Sequence, residues 1–108
     1  MTIAEYVSHI NTLYITGLAR EHSYRGDLQT LVSTILPDIL VTNEPARVSC
    51  GAPDYMLTRK SVPVGYIEAK DIGVDLNSKT LKEQFERYKA GLSTLIITDY
   101  TNFKFYSD

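Results

Sequence analysis

The chain has 108 residues and a formal charge of −2, from 11 Lys and Arg against 13 Asp and Glu. That length suits one small domain with a single core, so a large substrate must lie mostly outside it. The mild acidity excludes a protein that grips DNA by electrostatics alone, which needs a strongly basic face.

Thr2-x-x-Glu5 is a capping-box pattern, and Ile3, Tyr6, Val7, Ile10, Leu13 and Tyr14 recur behind it at helical spacing. A first helix is therefore expected, weakened at its end by Gly17. After Arg20-Glu21-His22, the series Leu28, Leu31, Val32, Ile35 and Leu36 predicts a second amphipathic helix that Pro37 stops. Residues 39–42 and 55–58 are short β-type runs, with Gly51 and Pro53 as punctuation. A turn over residues 59–63 leads into residues 64–69, which read as a buried central strand delivering its charged end to the sheet edge. Thr80-x-x-Glu83 predicts the start of a third helix running to about Ala90, with Leu81, Phe85, Tyr88 and Leu92 along its apolar side and Gly91 ending it. The apolar run 94–98 follows this crossover helix, which is how parallel pairing is made, and residues 103–106 read as its hairpin partner. The expected order is α-α-β-β-β-α-β-β, an α/β fold with helices packed on a mixed sheet.

Asp54, Glu68 and Lys70 carry the chemistry. Side chains alternate faces along a strand, so Glu68 and Lys70 project the same way, about 7 Å apart. Asp54, just after Pro53, can meet them from a neighbouring strand. Two carboxylates at one point make a hard oxygen site for a divalent cation, and a lysine beside it can position or help deprotonate a water. This is the layout of a metal-dependent phosphodiesterase. An acid-x-Lys triplet also arises by chance on the order of once per hundred residues. On the triplet alone, a solvated Glu-Lys pair at an exposed strand end stays open as the competing reading.

Gln84 and Tyr88 are four residues apart and so share a helix face. With Pro53-Asp54 and Glu68-Ala69-Lys70, the segment Gln84-Phe85-Glu86-Arg87-Tyr88 makes the chain resemble the PD-(D/E)XK nuclease superfamily, in its Q-x-x-x-Y branch. It is similar in particular to the N-terminal nuclease domains of single-chain restriction-modification enzymes, in which nuclease and adenine methyltransferase share one polypeptide. The segments that carry this are residues 21–25 (EHSYR), 41–47 (VTNEPAR), 51–55 (GAPDY), 65–73 (GYIEAKDIG) and 97–100 (ITDY), which are spread along most of the chain.

The resemblance implies a restriction-endonuclease-like αβββαβ core spanning residues 1–108 as one nuclease domain, a fragment of a longer polypeptide. It implies Mg²⁺, with Mn²⁺ able to substitute, held by Asp54, Glu68 and the Ala69 carbonyl. Glu21 matches the acid that many members add from their N-terminal helices. Lys70 would orient the attacking water and offset phosphate charge. Gln84 would bond near the metal loop, and Tyr88 would support the catalytic strand or a phosphate. The implied substrate is double-stranded DNA, with a covalently linked methyltransferase as partner and a helicase-type motor as a further candidate module. Alternatives are a stand-alone Holliday-junction resolvase or repair nuclease, against which the acidity argues, and a non-catalytic DNA-docking domain of the same fold.

The remaining sequence narrows the field. A single cysteine, Cys50, cannot close an internal disulfide and reads as a small buried residue, which makes a reducing cytoplasm the natural compartment. No apolar run approaches the ~20 residues that span a bilayer, and no signal-peptide layout opens the chain. Phosphate-cradling glycine loops, a His-Glu-x-x-His pair and a nucleophile elbow are all missing from the sequence.

Overall fold

The computed structural model describes residues 1–45, 51–92 and 94–107, with the side chain of Glu21 outside that description. The reading of Cys50 as a buried residue therefore lies outside the described residues, as do Ala46 and Arg47.

Helix α1 spans Ile3–Ile15 and starts as its sequence dictates. Thr2 accepts from the Glu5 N–H and the Glu5 side chain accepts from the Thr2 N–H, a reciprocal cap that satisfies two otherwise unpaired donors. The helix buries Tyr6 and Ile10. One turn of 3₁₀ helix, Glu21–Tyr24, leads into α2, Arg25–Ile35, which buries Leu28, Leu31 and also Arg25. Leu36 caps α2 and Pro37 stands just outside it.

The strands are β1 (Leu40–Asn43), β2 (Tyr55–Arg59), β3 (Val62–Ala69), β4 (Thr94–Thr98) and β5 (Phe103–Ser107), with α3 (Lys79–Gly91) between β3 and β4. They form one five-stranded sheet in the order β1-β2-β3-β4-β5. All neighbours are antiparallel except β3 and β4, which the α3 crossover makes parallel. The sheet is mixed as expected, and β3 is its middle strand. Residues 62 and 63, expected in the turn, belong to β3. The reversal is made by Lys60 and Ser61, with φ of 50° and 68°, the left-handed conformations that match the twist of a tight hairpin. The cap of α3 also differs from expectation. Ser78, not Thr80, accepts from the Leu81 N–H, so the helix begins earlier than the Thr80-x-x-Glu83 pattern predicted.

Alternation along the strands feeds two cores. On one face Val41, Tyr55, Leu57, Ile67 and Ala69 pack with Tyr6, Ile10, Leu28 and Leu31 of the two N-terminal helices. On the other, Leu95 and Ile97 pack with Phe85 and Tyr88 of α3. Leu28, Leu95 and Ile97 are wholly buried, so truncating any of them to alanine should cost about 2–5 kcal/mol. The first face is not fully covered. A groove of about 860 Å³ runs between the N-terminal helices and the β4–β5 edge, where Ile3, Val7, Phe103 and Phe105 stay exposed. Among the described residues no helix is long and apolar enough to cross a membrane.

Candidate functional site

The end of the β2–β3 hairpin remote from its turn brings Asp54 and Glu68 together. Tyr55 opens β2 opposite Ile67 of β3, so Asp54, one residue before β2, reaches the last residues of β3. Its Oδ2 accepts from the Ala69 N–H at 2.8 Å, and its carboxyl lies in hydrogen-bonding contact with that of Glu68. Lys70 follows directly, half-buried, its own N–H tied to the Thr98 carbonyl of β4 at 2.8 Å. The lysine's charge is close enough to favour ionisation of Glu68.

Glu68 is 3% exposed, which removes the reading of a solvated Glu-Lys pair and corrects the expectation of a charged end at the sheet edge. The physical reason is the position of β3. As the middle strand it has β2 and β4 on its flanks and α3 over the face that Glu68 shares with Tyr66. Burial raises the Glu68 pKa most, and the neighbouring Asp54 raises it further. Together they outweigh Lys70 and Tyr88 and push it up to about 8.

Helix α3 aims both of its sequence-predicted residues at this carboxyl. Gln84 donates from Nε2 to Glu68 Oε2 at 3.4 Å, and the Tyr88 hydroxyl bonds Glu68 while accepting from the Ala52 backbone. Tyr88 is at once a core residue and a Glu68 partner, being 3% exposed and packed among Phe85, Leu92 and Leu95. Its ring needs Gly51. That residue has φ of 143°, and a Cβ there would stand 2.7 Å from Tyr88 Cε1, so a side chain would strain the loop and push the phenol off Glu68.

Arg25 was not singled out by sequence reasoning. Its side chain is 9% exposed, and the guanidinium donates from Nη2 to Asp54 Oδ1 at 2.5 Å and from Nη1 to Asn43 Oδ1 at 3.0 Å, with Glu44 Oε1 at 3.5 Å. Its Nε finds no acceptor among the described residues. Burial opposes its charge, but Asp54 foremost among its neighbours outweighs that and strengthens it. The only sequence signal was its place in the EHSYR segment; a charge-balance argument could have asked which cation accompanies two buried acids.

Glu21 opens the 3₁₀ turn ahead of Arg25, and its expected metal contact lies outside the described side chains. Among the described residues no group of three His, Cys, Asp or Glu gathers as a metal cage. The donor chemistry present still fits a divalent cation. Two carboxyls in contact supply hard oxygens, and one of them is raised in pKa by burial first and by the neighbouring carboxyl second, a crowding of acids that a cation relieves. The Ala69 carbonyl belongs to the same strand end. The large apolar groove is elsewhere and has no acidic residue in its lining.

No family model matches the chain, and no curated protein does. Among solved structures it is similar to DrdV, seen by cryo-electron microscopy in a DrdV–DNA complex, at 20% identity over 86% of this chain with a TM-score of 0.67. The chain corresponds to 10% of the length of that DrdV chain. The likeness is one of fold, and with the element order above it gives a restriction-endonuclease-like αβββαβ core: a mixed central sheet flanked by helices.

Proposed function

We propose that the chain is a Mg²⁺-dependent DNA endonuclease domain of the Q-x-x-x-Y branch of the PD-(D/E)XK superfamily, with Mn²⁺ able to substitute. The observation that carries this is the buried contact between Asp54 and Glu68 beside Lys70 on a restriction-endonuclease-like sheet. Asp54, Glu68 and the Ala69 carbonyl would hold the cation. What a divalent cation supplies when bound is polarisation of a phosphoryl oxygen and a more acidic water. Lys70 then orients the attacking water and offsets charge that grows on the phosphate as the bond to the leaving oxygen breaks. Gln84 and Tyr88 fix the Glu68 carboxyl so that its oxygens need no reorganisation. Hydrolysis leaves 5′-phosphate and 3′-hydroxyl ends, as the resemblance implies.

The domain's size and mild acidity leave DNA recognition to other parts of a longer polypeptide, of which a methyltransferase is the expected neighbour and a helicase-type motor a further candidate. That the DrdV structure is a DNA complex supports DNA as substrate. A second reading, a non-catalytic DNA-docking domain, is favoured by one observation: both oxygens of Asp54 are already engaged, by Arg25 and by the Ala69 N–H. Calorimetric titration of the chain with Mn²⁺ separates the two. Binding that Asp54→Ala and Glu68→Ala each abolish supports the nuclease, and a chain that takes up no Mn²⁺ sinks it. Cleavage of unmethylated plasmid, by this chain and by a longer polypeptide carrying it, then tests the chemistry.

A further inference from the structure

Asp54 is held at both oxygens, and one of the groups that holds it is a buried cation. Nη2 of Arg25 takes Oδ1 and the Ala69 N–H takes Oδ2, so both oxygens of the carboxylate are fixed. Arg25 is itself braced. Asn43 Oδ1 accepts from Nη1 at 3.0 Å, and the Tyr55 hydroxyl donates to the Arg25 carbonyl at 2.9 Å while its ring lies 6.0 Å from the guanidinium carbon. Three elements thus converge on one side chain: the start of α2, the end of β1 and the start of β2.

A guanidinium cannot release its proton in a protein, so this positive charge is permanent. Each carboxylate oxygen has a second lone pair, and a divalent cation can therefore share Asp54 with Arg25 without displacing it. The cation then stands close to a fixed like charge in a setting of little water, where repulsion is far stronger than at a surface.

We infer that Arg25 is a positioning residue for the proposed metal site, fixing the Asp54 carboxylate in one orientation while holding the affinity for divalent cation low. This rests on the metal-dependent reading above. Order and affinity are traded against each other by one side chain. A merely structural arginine would behave differently, because its loss would loosen the site and weaken cation binding.

The test uses the 108-residue chain, Mn²⁺ calorimetry and amide hydrogen exchange, with folding checked by circular dichroism. Arg25→Met keeps the apolar stem and removes the charge; it should bind Mn²⁺ at least ~10-fold tighter at unchanged stoichiometry. Arg25→Lys keeps the charge and should stay within roughly threefold of the parent. Asn43→Ala leaves every charge in place and removes the brace. In metal-free protein it should speed exchange of the Ala69 amide by about threefold or more as Asp54 loses its fixed pose, whereas the Lys70 amide, bonded to Thr98, should not change.

A folded Arg25→Met that binds Mn²⁺ no tighter than the parent overturns the inference. If Arg25→Met does not fold, Asn43→Ala decides, and unchanged protection of the Ala69 amide overturns it. Failure of the proposed function is distinguishable from this. A parent that binds no Mn²⁺ ends both readings, whereas binding that needs Asp54 and Glu68 but does not respond to Arg25 ends this one alone.

Discussion

Asp54 receives a guanidinium from Arg25 and an amide N–H from Ala69, whereas Glu68, in contact with it across the hairpin, receives the amide of Gln84 and the phenol of Tyr88. One carboxyl has a cation bonded to it and the other has neutral donors, with Lys70 acting on it through space. Glu68 accordingly keeps its proton into the neutral range, its pKa raised to about 8 by burial first and Asp54 second. Two acids of nearly the same chemistry thus differ in their direct partners, set by which helix reaches them. It is the arrangement by which active sites divide roles between paired acids.

The largest effect should come from opposing the two acids directly. Asp54→Ala leaves the buried Arg25 charge uncompensated and should cost roughly 3–5 kcal/mol of stability, measured by urea denaturation. Glu68→Gln replaces a carboxyl that folding must protonate with a neutral amide and should not destabilise at neutral pH. Equal losses in the two variants would break the contrast.

A second measurement sharpens it. The folded pKa of Glu68, about 8, lies above its ordinary value of 4.5, so its contribution is fully present below about pH 4.5 and is lost as pH rises through about 8. In metal-free protein the stability of Glu68→Gln relative to the parent should therefore be flat below about pH 4.5, grow as pH rises and level off above about 8. A difference that shrinks with pH would contradict the assignment.

Lys70→Ala should reduce cleavage by the active polypeptide roughly 100-fold, since its charge acts on the transition state, with Mn²⁺ affinity and folding little changed. Loss of folding in its place would return Lys70 to a structural role. The smallest effect is expected from Tyr88→Phe. It removes the hydroxyl that lowers the Glu68 pKa, at a cost of about 1 kcal/mol, and should move the Glu68 titration upward as followed by carboxyl ¹³C NMR.

The contrast also marks where sequence reading stopped. Asp54, Glu68 and Lys70 were legible because strand alternation is a local rule, Gln84 and Tyr88 through the motif that the chain resembles, and the structure brings them together at one strand end. The element order followed from the same rules, and the mixed pairing from the crossover helix. Arg25 obeys no local rule. It meets Asp54 across 29 positions, and an arginine at a helix start reads as solvated until the fold buries it. The α3 cap went to Ser78 because two hydroxyl residues stand two apart and only backbone geometry chooses between them. The burial of Glu68 depended on which strand lies in the middle, a property of the assembled sheet.

The β2–β3 hairpin has one more consequence, for the order of events during synthesis. Asp54 and Glu68 stand at the outer ends of two arms joined by the short turn at Lys60 and Ser61. Their meeting requires only the closing of that hairpin, a step that is fast and local compared with making the parallel β3–β4 pair. A ribosome emits both acids, and Arg25 before them, ahead of any residue of α3 or β4. The nascent chain can therefore join Asp54 to its cation first, while Glu68, still open to water, stays ionised until α3 arrives to dehydrate it.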